Sequence, residues 1–491
     1  MPTVRAGPDY RGLPFGNMTQ IHDLSATELA AAVRARELSP VTVTDHYLSR
    51  IEEKNAAVGA YFTVTAELAR DQARAAEKAV VAAADPGRLP PLTGVPIPIK
   101  DLNMVAGVRQ TFGSVVFTGN VAIEDDHVTL AIRSAGAVII GKTSCPEFGL
   151  PCYTETEIGP PARTPWDLSR SAGGSSGGAA AAVAAGLAPA AHGNDGGGSI
   201  RIPSSACGLF GIKPSRGRIS NAPLMPDLFG LTTEGPLART VADAALLLDV
   251  MTGNRPGDMY TQPPLPDGES FLGCARRAPG RLRIGRTLAH PVGDGFVHPD
   301  CVTAYEQASR LLAHLGHDVE DVATPFGADV VPAFETLWYA MATLAPVAEA
   351  DEHRLRPLTR YLRERGRAVA APDLLFAHAY LQLIMRSALP ALNSYDVILT
   401  PTLAAPPAEV GYFEQVEPAE NFERQKRFTP YAAVCNVSGQ PAVNVPLHWT
   451  AAGLPIGVML AGRVGAEGTL ISLSAQLEEA RPWHGRHPPA W

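Results

Sequence analysis

The stretch "GGSSGGAAAAVAAGLAPAAHGNDGGGSIR", Gly173 to Arg201, decides how this chain is read. Its ends are rich in glycine and serine, and its middle is apolar. Taken alone, "GGSSGG" (residues 173–178) is a flexible loop. A disordered linker, however, is not followed at once by a helix-forming apolar run such as "AAAAVAAG". The start of such a helix presents free backbone N–H groups and the positive end of a dipole. Ser175 and Ser176 are therefore expected where an oxygen nucleophile or a developing anion is stabilised. At the other end, Gly196, Gly197, Gly198 and Ser199 let the backbone approach a substrate closely and aim several N–H groups at one point. An oxyanion hole requires this. A tight turn with a capping serine is the plainer alternative.

Outward from this stretch, helices and short apolar strands alternate. Ser25 with Glu28 forms a capping-box pattern, Ser39-Pro40 opens a second helix, and an Ala-rich helix is expected over about residues 65–84. "LTGVPIPIKDL" (92–102) is an extended segment whose prolines permit only an edge or terminal strand, with Lys100 at its exit. A helix "DDHVTLAIRSAG" and a strand "AVIIGKT" follow, and "DVILTPT", "AVNVPLHW" and "PIGVMLAG" are three further strands near the C-terminus. The pattern predicts an α/β fold, one large domain with a mixed central β-sheet covered by helices on both faces. Residues 1–20 are an N-terminal extension and 21–491 the domain, with a Pro- and Gly-rich excursion over about 254–280. No repeat of fixed period is present.

Bulk properties narrow the function. The 491 residues are 46% hydrophobic and 18% charged, with a net charge of -8, so the chain can bury a sizeable core and lacks the basic footprint of a nucleic-acid binder. The cluster Arg276, Arg277, Arg281, Arg283 and Arg286, mixed with Gly and Pro, is expected to be a solvated linker. Six scattered cysteines without a C-x-x-C pair signal reduced, mostly buried thiols, with no disulfide framework and no metal site. No apolar leader and no run of eighteen apolar residues occurs. The expectation is a cytoplasmic protein without nucleic-acid or membrane partners.

Several motifs together are specific. "GVPIPIKDL", "GKTSCPEFG", "TPWDLSRSAGGSSGGAAAAVAAG", "GNDGGGSIRIPSSACGLFGIKPSRGRIS" and "VCNVSGQPAVNVP" with "GLPIGVMLAG" stand in the order of the amidase signature family, which the chain resembles over nearly its whole length. The resemblance implies a serine amidohydrolase without cofactor. Lys100 falls on the family's lysine, Ser175 on its cis-peptide serine and Ser199 on its nucleophile. Gly196 to Ser199 fall on the oxyanion loop, Asp195 and Arg201 would brace it, and Ser176 is a supporting hydroxyl. Chemically, a serine hydroxyl needs a base. A lysine can serve if desolvation holds it well below its reference pKa of about 10.4.

Other readings compete with this one. "GGSSG" also fits the G-x-S-x-G elbow of α/β hydrolases, with Ser175 as nucleophile and His192 drafted as base, but no strand precedes it. Residues 136–143 match a Walker A string whose intervening residues form an apolar strand, so that match is discounted. A non-catalytic amidase-like binding or assembly subunit is the alternative from another class. Within the family, "AHGNDGGGSIRIP", "KPSRGRIS" and "GNRPGD" most resemble the nylon-oligomer hydrolases that open cyclic 6-aminohexanoate dimers. Asn194 and the small Gly196 depart from the Ser or Thr and the larger apolar residue of many relatives. The expected substrate is a small-molecule aryl or non-natural amide, or alternatively a carbamate, with Leu150, Cys152 and Tyr153 on the acyl side. Specificity is expected from residues 223–233 and from 326–346, whose "FETLWYAMATLAP" is either an aromatic and Met wall or a core helix. A homodimer is the expected form of any self-association.

Overall fold

Local chemistry sets the first helices. Ser25 Oγ accepts the Glu28 N–H while Glu28 returns a bond to the Ser25 N–H, and the helix Ala26–Arg34 follows. Ser39 caps Pro40–Val58, which ends at Gly59 in the left-handed region. The computed structural model describes residues 20–223, 228–293 and 295–491. The expected N-terminal extension thus lies, apart from Gln20, outside the described residues.

Eleven strands are found among the described residues: β1 Tyr61–Val64, β2 Pro96–Lys100, β3 Val138–Thr143, β4 Ala190–Asp195, β5 Phe210–Lys213, β6 Thr233–Ala238, β7 Arg283–Arg286, β8 Asp318–Asp321, β9 Val397–Pro401, β10 Ala442–Trp449 and β11 Pro455–Gly462. Eight form the central sheet in the order β4-β6-β5-β10-β11-β9-β7-β8. It is mixed, with β7 parallel to β8 and β9 and the other pairs antiparallel. The expected fold is therefore present, with an addition. A separate three-stranded sheet, β1-β3-β2, carries Lys100 at the end of its edge strand. That edge is buried because β4 runs beside it, and the Lys100 backbone N–H is donated to the His192 ring.

β4, β5, β6 and β11 are buried at every residue, so both faces of the sheet are covered. Gly177–Ala184 and Arg201–Cys207 pack together on one side, while Val241–Met251, Pro299–His314 and Glu467–Ala480 supply the other cover. The Ala-rich helix Gly177–Ala184 is buried all round, as a helix without a polar face must be. Its second residue approaches other backbone closely: a Cβ on Gly178 would lie 2.3 Å from Ser144 N and 2.5 Å from Ala60 O.

Two expectations change here. The arginine cluster is not a linker throughout. Arg283 and Arg286 belong to β7, and Arg277, Arg281, Arg283 and Arg286 pair with Glu269, Asp318, Glu320 and Glu306 respectively. The helix start at Gly177 also offers fewer free donors than expected. Ser176 donates its N–H to Ser199 O at 3.1 Å, and Gly178 donates to Ser144 O at 3.0 Å. The first of these bonds ties the two serine segments together, and the second ties the helix start to the segment after β3. All six cysteines are unpaired and buried. Among the described residues no single helix is long and apolar enough to cross a membrane.

Candidate active site

Lys100 leaves the end of β2 fully buried and meets three oxygens. Its Nζ lies 2.7 Å from Ser175 Oγ, 2.6 Å from Asn194 Oδ1 and 3.4 Å from Asn194 O. Burial pulls its pKa down to about 8, against weaker opposing pulls from Cys145, Glu234 and Asp195. A neutral amine has two hydrogens and one lone pair. Both Asn194 oxygens can only accept, so they take the hydrogens and leave the lone pair for the Ser175 hydroxyl proton.

The orientation of Asn194 follows from its neighbours. Asn103 donates its Nδ2 hydrogens to Asp126 Oδ2 at 2.9 Å and Glu234 Oε1 at 3.1 Å, both acceptors. Asn103 Oδ1 is thereby left to accept from Asn194 Nδ2 at 3.2 Å, which turns Asn194 Oδ1 toward the lysine. His192 belongs to the same buried group. Its Nδ1 accepts from the Lys100 N–H, so Nε2 carries the proton it gives to Glu234 Oε2 at 2.8 Å. With both ring nitrogens engaged, His192 is not the base that the elbow reading needs.

Ser175 follows a cis peptide after Gly174. Behind it, Ser176 is fully buried and donates to Asn194 O at 3.2 Å. Ser199 borders a cavity. The structure thus joins Lys100 to Ser175 directly. Among the described residues no hydrogen bond joins Ser175 Oγ to Ser199 Oγ.

The loop that carries Ser199 is held by a buried ion pair. Arg201 grips Asp195 through two bonds of 2.9 Å and also donates to Ala432 O and Asn436 Oδ1. The guanidinium holds the Asp195 carboxyl far below the usual carboxylate range, against the opposing effect of burial. Asp195 accepts the Gly198 N–H at 2.7 Å and the Ile200 N–H at 3.1 Å. This corrects the expected oxyanion loop: Gly198 spends its N–H inside the loop and cannot point it at substrate. Its own requirement is conformational, with φ +128° and a Cβ that would strike Ile202 and Ala432. The N–H groups of Gly196, Gly197 and Ser199 have no acceptor among the described residues, and Gly197 and Ser199 face the cavity.

That cavity encloses about 940 Å³ of space including its open mouth. Leu150 and Cys152 line it. Tyr153 does not. Its ring stacks on Phe413 and its hydroxyl accepts from Asn421 Nδ2, both away from the cavity. The segment 326–346 supplies a wall through the helix Val330–Ala342, where Phe334 stacks on Trp338. The stripe is only partly a wall, since Leu337 and Ala342 on the same helix are core and Met341 does not line the cavity. No described residue of 223–233 lines the cavity, and 224–227 lie outside the described residues.

Sequence reasoning missed the helix Pro418–Phe428, which contributes Phe422, Gln425 and Lys426 to the cavity rim. Its charged pattern "NFERQKRF" carries no motif. Asn103 was also missed, although it lies three residues after Lys100. Among the described residues no group of His, Cys, Asp and Glu could hold a metal ion.

Comparison with known proteins gives the family. The Amidase family model matches residues 42–471. A putative amidase, AmiB2, of Mycobacterium tuberculosis is 39% identical, covering 95% of this chain and 99% of its own. The 6-aminohexanoate-cyclic-dimer hydrolase of Paenarthrobacter ureafaciens is 34% identical, covering 94% and 96%. A solved structure of 6-aminohexanoate cyclic dimer hydrolase with substrate superposes with a TM-score of 0.87 at 32% identity, covering 96% of this chain and 99% of that one. A bacterial aryl acylamidase superposes with 0.85 at 26% identity, covering 95% and 99%. The chain therefore belongs to the amidase signature family, as a hydrolase of carbon–nitrogen bonds other than peptide bonds.

Proposed function

We propose that the protein hydrolyses small aryl or non-natural amides through a covalent acyl-enzyme, with Ser199 as nucleophile, Ser175 as proton carrier and Lys100 as base. The observation that carries this is the Lys100 Nζ to Ser175 Oγ contact of 2.7 Å, made while Asn194 accepts the other amine hydrogens. As Ser199 Oγ bonds to the amide carbon, its proton passes to Ser175 and the Ser175 proton passes to Lys100. The same relay returns a proton to the nitrogen as the C–N bond breaks and the amine leaves. Gly197 and Ser199 N–H groups bond the oxyanion, and removing one such donor typically costs roughly 3–4 kcal/mol of transition-state stabilisation. Water then attacks the acyl-Ser199 ester by the reverse route and releases the acid.

The resemblance to a cyclic-dimer hydrolase and an aryl acylamidase supports an amide whose side groups are bulky. A carbamate presents the same carbonyl and amine leaving group, so it serves as a comparison substrate. The test incubates purified protein with an aryl amide, the matching ester and an aryl carbamate, then labels it with a fluorophosphonate. Turnover of the amide and a label on Ser199 that Ser199→Ala abolishes are expected. No turnover of any substrate would favour a binding subunit, and a label that persists on Ser175 would restore the elbow reading.

A further inference from the structure

The polar side chains around the cavity carry an inference that rests on the proposed amidase reading. Besides Ser199 and the indole N–H of Trp338 they are Gln425, Lys426 and Thr429. Gln425 accepts the Cys152 N–H through Oε1 and donates to Asn421 Oδ1 through Nε2, each at 2.8 Å. Thr429 Oγ1 donates to Gln425 O at 2.9 Å. Lys426 contacts Glu335 directly and Glu423 at 2.5 Å. Gln425, Lys426 and Thr429 are thus already engaged within the protein, and the groups that remain for a ligand, Ser199, its neighbouring N–H groups and the Trp338 indole N–H, carry no charge.

The rest of the wall is apolar, with Phe326, Val330, Phe334, Trp338, Leu381 and Met385 on one side. Trp338 lies over the oxyanion loop, 3.5 Å from where a Gly197 Cβ would stand. A flat or extended apolar group can pack there. A charged group would lose hydration without gaining a free partner of opposite charge. An anion meets a second obstacle, because one ammonium set against two carboxylates leaves the Lys426 cluster with an excess of negative charge.

We infer that the cavity selects amides whose bound side group is uncharged and apolar, and that Lys426 is a masked cation whose two glutamates exclude substrates bearing a carboxylate. Glu335 and Lys426 are both largely buried, whereas Glu423 is half exposed, so Glu335 makes the stronger contribution to the mask. Removing the mask would leave a buried-edge ammonium at the wall, available to a ligand carboxylate.

Binding tests this without depending on turnover. Calorimetry on Ser199→Ala protein compares a phenylalkanoyl anilide with its ω-carboxy analogue of equal length. The neutral ligand is expected to bind on the order of 100-fold more tightly, as a site does when one ligand leaves a charge unpaired. In the background of Glu335→Gln with Glu423→Gln, that preference narrows by about tenfold or more, through gain by the carboxylate ligand. Glu423→Gln alone shifts it in the same direction by less, and serves where the double variant does not fold. Equal affinities in the unmasked and masked pockets, or in the two ligands, would overturn the inference. Absence of turnover in the parent protein would instead overturn the amidase reading, leaving the binding ratio to stand.

Discussion

Lys100 shows how one buried side chain acquires a task. Its surroundings penalise the ammonium and hold the pKa at about 8, so near neutral pH most of the lysine is protonated and, in the proposed relay, unable to accept the Ser175 proton. The sign follows directly. kcat/KM should rise with pH through about 8 and fall close to tenfold for each pH unit below it. Asn194 contributes by accepting without bearing charge, while Glu234, Asp195, Cys145 and the His192 ring are the other titratable groups around the lysine. Asn194→Asp would set a carboxylate opposite Nζ and favour the ammonium. The acid limb of the pH profile should then move upward, with a loss of about tenfold or more at pH 7 that recovers in alkali. A profile lowered equally at every pH would mean that Asn194 only shapes the loop. Lys100→Ala should itself lose activity most above pH 8, where the amine is neutral, and should lose the acid limb centred near 8.

At the scale of elements, the helix Gly177–Ala184 depends on close approach more than on propensity. Gly178→Ala would press a methyl group into the backbone of Ser144 and Ala60, neither of which can rotate away. Overpacking of this kind costs about 1–3 kcal/mol, measurable as a lower urea midpoint at unchanged slope. Activity should fall with it, since the Ser176 N–H is anchored on Ser199 O. Other elements divide by how local their causes are. The caps at Ser25 and Ser39 and the apolar runs of β3, β9, β10 and β11 are written in adjacent residues, and these were legible. β4, "AAHGND", and β6, "TEGPLA", were not, because neither alternates or runs apolar. Their polar residues are satisfied only once paired, with Asn194 opposite Glu234 in the register and His192 bonded to Glu234. β7, "RIGR", was hidden by its arginines, which pair outward from a strand only four residues long.

The same division holds for the molecule as a whole. The glycines, serines and lysine of the site were legible because their spacing survives in the chain. The groups that hold and wall them come from far along it: Asn436, Gln425, Phe422 and Trp338. Asn436 is the clearest instance. Its Nδ2 donates to Asp195 O, Asp195 Oδ1 and Leu231 O, and its Oδ1 accepts from Arg201. The loop that carries Ser199 is thereby clasped to the C-terminal third of the protein. Breaking one member of a buried ion pair leaves the other uncompensated, so Arg201→Ala should destabilise by roughly 3–5 kcal/mol. Asn436→Ala should cost about 1–3 kcal/mol for the donors and acceptors it strands. Because both side chains brace the same carboxylate, the double variant should fall short of the sum by about 0.5–3 kcal/mol. A urea-unfolding cycle across the four proteins measures that coupling. Strict additivity would mean that the two residues stabilise separate regions, and that the clasp does not hold the loop as one unit.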